Sequence, residues 1–183
     1  MSHLPDLLTE RLLLRPLVPG DETDLFLLRS DGEVNRYLDR DIPRDASETQ
    51  QFIQTISEGI LEHKSVYWAI TLGEEGSGDG GVCPGKLIGC ICLYNFSEDR
   101  LTAELGYELH PAFQGRGIMQ EAVTKVLWFG FRILGLKRIE ADTHRDNRRS
   151  VHLLEKTGFV LAPAQCTPAP AQAGEYERFV REP

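Results

Sequence analysis

The stretch from Glu104 to Gly130, ELGYELHPAFQGRGIMQEAVTKVLWFG, constrains the chain more than any other. Leu105, Tyr107 and Leu109 alternate with Glu104, Gly106 and Glu108, which is the period of a strand. Pro111 has no N–H to give a sheet ladder and ends that strand. A turn follows, Gln114-Gly115-Arg116-Gly117-Ile118-Met119, and then Ala122, Val123, Val126, Leu127, Phe129 and Ile133 recur at helical spacing. A strand that feeds a glycine-containing turn and opens a helix is suited to an anion. The first helical N–H groups lack partners, and glycines let a phosphate approach the backbone. The dinucleotide fingerprint would need a glycine where Gln120 stands, and a Gly-Lys-Ser/Thr phosphate loop is absent.

A chain of 183 residues fits one domain, 1–183, with a full core. A net charge of −8 argues against nonspecific binding to nucleic acid or to an acidic membrane. No apolar run reaches spanning length and no signal-peptide core is seen at the N-terminus, so the expected location is the cytoplasm. Cys83, Cys90, Cys92 and Cys166 form no CxxC pair, and the histidines lack zinc spacing, so no metal is expected. Cys90 and Cys92 read as reduced apolar residues on one side of a strand, and Cys83 as an exposed thiol in a loop.

Read in order, Thr9 to Leu17 is a first strand. Asp21 caps a helix running to about Ser30, with a shorter helical piece over Glu33 to Leu38. Ser47 to Gln50 reads as a capping box opening a helix with Phe52, Ile53, Ile56 and Ile60 on one face. Val66 to Leu72 and Leu87 to Phe96 are strands, separated by a glycine-rich loop from Gly73 to Lys86. With the Glu104 strand they make an antiparallel meander. Gly135 terminates the central helix, Leu136 to Thr143 is a further strand, and the helical crossover makes it parallel to the Glu104 strand. Asp146 or Asn147 caps the next helix, Gly158 ends it, and Phe159 begins a sixth strand. A Pro/Ala-rich segment, Ala162 to Ala173, precedes an edge strand at Tyr176 to Arg181.

Gln114-x-x-Gly117-x-Met119 resembles the pyrophosphate loop of the GNAT superfamily of acyl-CoA N-acyltransferases, in the form carried by its RimJ/RimL-like branch. A second run, Asn147-x-x-Ser150-x-x-x-Leu154-Glu155-Lys156-x-Gly158-Phe159, is similar to that branch's signature, as are the opening TERLLLRPL and the run AELGYELHP. The resemblance covers Thr9 to Ala162 and stops at the Pro/Ala-rich tail. It implies an α/β (α+β) GNAT fold: a mixed, mainly antiparallel sheet of six to seven strands, helices on both faces, and fourth and fifth strands that splay apart.

The resemblance also implies acetyl-CoA as co-substrate and a primary amine as acceptor. The favoured acceptor is a protein or peptide α-amino group, a ribosomal protein among them. Alternatives are a polyamine or drug amine, or an acyl-CoA-binding sensor without catalysis; the protein would be a monomer or homodimer. Amides of Gly115, Arg116, Gly117, Ile118 and Met119 would hold the pyrophosphate beside Gln114, and the backbone at Leu109 would pair with the pantetheine arm. Asn147 resembles the asparagine that touches that arm, and it is also a natural helix cap.

An α-amine with a pKa near 8 needs only a modest base. Glu104 and Glu108 are the carboxylates at hand. A β-bulge near the strand's end, common in the family, would turn Glu108 to the other face, and Glu104 is favoured. The tyrosine that many GNAT enzymes use on the last helix falls at Leu154, so Ser150, one turn earlier, is the candidate donor to the leaving sulfur. Trp68 and Tyr107 read as core, and His144 as a loop histidine.

Overall fold

The structure is a computed structural model that describes residues 4–73, 85–163 and 175–183. Cys83, Cys166, and most of the glycine-rich loop and the Pro/Ala-rich segment therefore lie outside the described residues.

A short strand β1 (Leu7–Leu8) pairs with β2 (Leu12–Pro16), so the expected first strand is a small hairpin. Three helices follow: α1 (Glu22–Ser30), α2 (Gly32–Asn35) and α3 (Ala46–Leu61). The meander β3 (Val66–Leu72), β4 (Leu87–Tyr94) and β5 (Thr102–Leu109) leads into α4 (Ile118–Arg132) and β6 (Arg138–His144). Helix α5 (Arg148–Lys156), β7 (Val160–Leu161) and β8 (Tyr176–Arg181) complete the chain. The sheet has eight strands in the order β1-β2-β3-β4-β5-β6-β8-β7. Every pairing is antiparallel except that of β5 with β6, as the helical crossover requires.

Several local expectations shift. The cap of α3 is Asp45, two residues before the expected serine. Its carboxylate accepts from the Ser47 and Glu48 amides, while Glu48 reaches back to the Arg44 N–H. Asp21 precedes α1 but its side chain makes no cap bond; it takes a bidentate pair from Arg15 instead. β8 is not an edge strand. It lies between β6 and β7 and pairs with β6 from His144↔Tyr176 to Ile139↔Arg181. The two-residue β7 is the edge.

The sheet separates two apolar layers. On one face Trp68, Ile91, Leu93, Ala103, Leu105 and Ile139 meet α4, and Trp68 packs edge-on against Phe129 at 5.2 Å. α4 lies close to the sheet because Gly130 faces it: a Cβ there would stand 2.9 Å from Ile139 Cδ1. On the other face Leu17, Tyr67, Ala69, Leu87 and Cys90 meet Leu25, Leu28 and Ile53 of α1 and α3. β5 alternates sides residue by residue, sending Ala103, Leu105 and Leu109 to the α4 face and Glu104, Gly106 and Glu108 to the other. The β4–β5 register is unbroken, so no bulge turns Glu108 over.

The feature that positions the site is the parting of β5 and β6. Their parallel pairing covers Thr102↔Arg138, Ala103↔Ile139 and Glu104↔Glu140, and stops there. β5 runs on to Leu109 and β6 to His144, so a wedge opens between them.

Candidate active site

β5 faces the wedge with its backbone. The His110 N–H donates to Ile88 O at 2.9 Å, and antiparallel pairs alternate between bonded and non-bonded. Tyr107 and Leu109 therefore turn their N–H and C=O groups away from β4, toward the opening. Gln114 takes one of these: its Nε2 donates to Leu109 O at 2.9 Å, while its Oε1 accepts from Arg149 Nη1 at 2.7 Å. Gln114 thus ties the end of β5 to α5 and is no mere solvated turn residue.

The turn closes with Gly115 and Gly117 at φ +74 and +75, a region in which a side chain is strained. Gly117 is the N-cap of α4. The first bond of that helix runs from the Glu121 N–H to Gly117 O, which leaves the Ile118, Met119 and Gln120 amides without partners inside the helix. The loop is braced from behind by residues the sequence did not single out. Arg11 Nη1 donates to Arg116 O at 2.9 Å and Arg11 Nε to Glu121 Oε2 at 2.7 Å, and Thr9 donates to Glu121 Oε1 at 2.5 Å. Burial opposes ionisation of Glu121, but the bonds from Thr9 and Arg11 outweigh it and hold the carboxyl below its usual range.

On the α4 side of the wedge stand two hydroxyls. Asn147 caps α5, accepting from the Ser150 N–H at 3.2 Å. The Ser150 hydroxyl lies 2.7 Å from that of Tyr107. Leu154, one turn on, is fully buried in the apolar layer. The ring of Tyr107 packs against the core as expected, and its hydroxyl faces that of Ser150.

The opposite side carries charge. Glu104 stands at the last paired position of β5, beside Tyr94 and 3.9 Å from Arg178 Nη2. Arg178 makes a bidentate pair with Asp142 and bonds Glu140 at 2.9 Å, which raises its pKa further. Arg138 also bonds Glu140. Glu108 is buried and clamped: Arg40 Nη1 lies at 2.6 Å, Arg29 Nη1 at 3.3 Å and the Tyr67 hydroxyl at 3.4 Å. His144 ends β6, with its ring between those of Tyr37 and Tyr176. Arg29, Arg40 and Arg178 carried no signal in the sequence, because each meets its partner across long stretches of chain; Arg138 meets Glu140 only two residues on.

Residues 11–160 match the model of the acetyltransferase (GNAT) domain. The chain belongs to the GNAT family. It is 32% identical over 155 residues to the uncharacterized N-acetyltransferase YoaA of Bacillus subtilis (strain 168), covering 85% of this chain and 82% of the relative. Its fold is that of RimL, a ribosomal L7/L12 alpha-N-protein acetyltransferase solved with coenzyme A: TM-score 0.79, 17% identity, covering 97% of this chain and 98% of the other. It is equally that of spermidine N-acetyltransferase from Vibrio cholerae, solved with CoA and spermine: TM-score 0.75, 20% identity, 95% and 96% covered. At these identities the two structures speak to the fold alone. The family assignment makes this GNAT protein an acetyl-CoA-dependent N-acetyltransferase.

The residues present suit that donor. The free amides at the start of α4 and the positive end of its dipole face an anion. The wedge beside them offers unpaired strand backbone, to which an amide-containing arm can add as a strand does.

Proposed function

We propose that this N-acetyltransferase acetylates the α-amino group of a protein or peptide, with a ribosomal protein as one candidate. The observation that carries this reading is that the carboxylates nearest the wedge on its α1–α3 side are paired with arginines. Four carboxylates, Glu104, Glu108, Glu140 and Asp142, face four guanidinium groups, Arg29, Arg40, Arg138 and Arg178. Binding a polyamine calls for a surplus of negative charge, whereas paired carboxylates suit a single amine that reacts as its free base.

Bound acetyl-CoA supplies a thioester, an acyl carbon bonded to a good leaving group. The chain's own residues do the rest. Amides at Ile118, Met119 and Gln120 hold the pyrophosphate, and Gly117 keeps the approach open. Backbone groups of Tyr107 and Leu109 fix the arm in the wedge. Glu104, on the acceptor side, removes the amine's proton through a water. Ser150, on the other side, donates a hydrogen bond to the departing sulfur. Glu104→Gln lowers kcat/KM about 10²-fold at neutral pH and recovers in part at high pH, as free amine accumulates.

The acceptor class is tested by offering acetyl-CoA with equal concentrations of free N-terminal peptides, spermidine and spermine, and reading products by mass spectrometry. Faster acetylation of peptide α-amines supports the proposal. Preference for the polyamines would overturn it.

A further inference from the structure

We propose that Tyr107 is a positioning residue that aims the Ser150 hydroxyl at the leaving sulfur, so that strand and helix together supply what Leu154 cannot. The proposal deepens the role given to Ser150 above and rests on it. The two hydroxyl oxygens are 2.7 Å apart, at hydrogen-bond distance. Tyr107 lies on the unpaired part of β5, three residues past the last pair with β6, and Ser150 lies in the first turn of α5. Two hydroxyls carry two protons. One proton is consumed in the bond between them, and the other is free to reach a third atom.

Which proton is free decides the chemistry. Burial pushes the Tyr107 phenol up to about 12, only partly offset by its bond to Ser150, so the phenol keeps its proton. Among the described residues the Ser150 hydroxyl has no other partner: it is not bonded back to a carbonyl of its own helix, as serines in helices often are. Either hydroxyl can donate across this distance, and the phenol is the more acidic of the two; when Tyr107 donates to Ser150 Oγ, the serine O–H is left pointing away from the tyrosine. Accepting that bond also makes it a stronger donor. Tyr107 at the oxygen and Asn147 at the backbone fix where Ser150 Oγ stands, and its proton remains free for a third atom.

The step balances without a proton from the tyrosine. The amine nitrogen bonds to the acyl carbon, the carbon–sulfur bond breaks, and its electron pair leaves on sulfur. The amine attacks as its free base, having left its first proton in solvent, and the proton that the attacking nitrogen then sheds goes to Glu104 through water. A thiol is more acidic than this phenol, so the sulfur leaves as a thiolate carrying a hydrogen bond from Ser150, and takes a proton from solvent on release.

Tyr107→Phe removes the hydroxyl and keeps the ring, so the core packing survives. The assay uses acetyl-CoA and hydroxylamine, a small nucleophile largely unprotonated at neutral pH that needs neither an acceptor pocket nor a base. The result is then independent of the acceptor class proposed above. Tyr107→Phe is expected to lower kcat about tenfold, with KM for acetyl-CoA and the melting temperature unchanged. Ser150→Ala is expected to lower kcat at least as much, and the double variant to be no slower than Ser150→Ala alone. Full kcat in Tyr107→Phe overturns the proposal. So does a double variant whose loss is the product of the two single losses, since Tyr107 would then act by a route that does not pass through Ser150. If Tyr107→Phe melts early, the comparison of the double variant with Ser150→Ala at a temperature where all are folded still decides.

Discussion

The two sides of the β5–β6 wedge are built on different principles. The side proposed for the donor is a run of neighbours: the end of β5, the glycine turn and the start of α4 lie within one stretch, and α5 adds a short second one. Its working groups are largely backbone amides. The acceptor side is assembled from α1, the segment between α2 and α3, β5, β6 and β8, and its groups are paired side chains. A site made of local backbone tolerates change elsewhere in the chain. A site made of long-range ion pairs cannot be separated from the stability of the fold.

Variants can break this contrast or sharpen it. The largest effect is expected on the acceptor side. Glu108→Ala leaves the partly buried Arg29 and Arg40 without their carboxylate, a change expected to cost about 2–3 kcal/mol, below the penalty for a fully buried pair. Chemical denaturation should show it. A loss under 1 kcal/mol would mean that the acceptor side is no more bound to the fold than the donor side.

Next is Gly117→Val. A branched side chain at φ +75 strains the turn and stands where the pyrophosphate is proposed to bind, so acetyl-CoA affinity should fall by roughly 100-fold in a protein that stays folded. Calorimetry with acetyl-CoA checks this, and undiminished affinity would remove the loop from the donor site. Asn147→Ala should cost about 1 kcal/mol through the lost cap. If affinity falls beyond that, Asn147 also touches the donor; if it does not, the cap is its whole role.

The smallest effect is a pH limb. The folded-state pKa of Glu121 is depressed, so its contribution is present above the unfolded value of about 4.3 and is lost as pH falls through the folded value. Acetyl-CoA affinity should hold down to about pH 5 and weaken only in stronger acid, by a few-fold, as Arg11 loses its anchor. The same acid limb in Glu121→Gln would show that some other group titrates.

The contrast also explains what could be read from the sequence. α3, β3 and the core of β4 follow from periodicity, and Gly117 and Asn147 from the chemistry of helix starts, because all these signals are contained in neighbouring residues. The cap of α3 was displaced because Asp45 and Ser47 are equally good cap residues, and only the entry angle of the chain chooses between them. The placement of β8 inside the sheet, the clamp on Glu108 and the brace of Arg11 depend on partners far along the chain. The Tyr107 hydroxyl lay hidden behind a ring that reads, correctly, as core.

The position of β8 has a consequence for how the molecule comes into being. β6 has three parallel pairs with β5, and its full-length partner is β8, which is synthesised after every other element described. β1 to β5 can form as a meander from contacts close in sequence while the chain is still being made. One wall of the wedge must wait for the last strand. Until it arrives the β6 edge is unpaired, and an exposed edge is where a nascent chain is most open to wrong partners. The cleft proposed for catalysis is therefore completed only by the last strand to be synthesised, the same strand that covers the β6 edge.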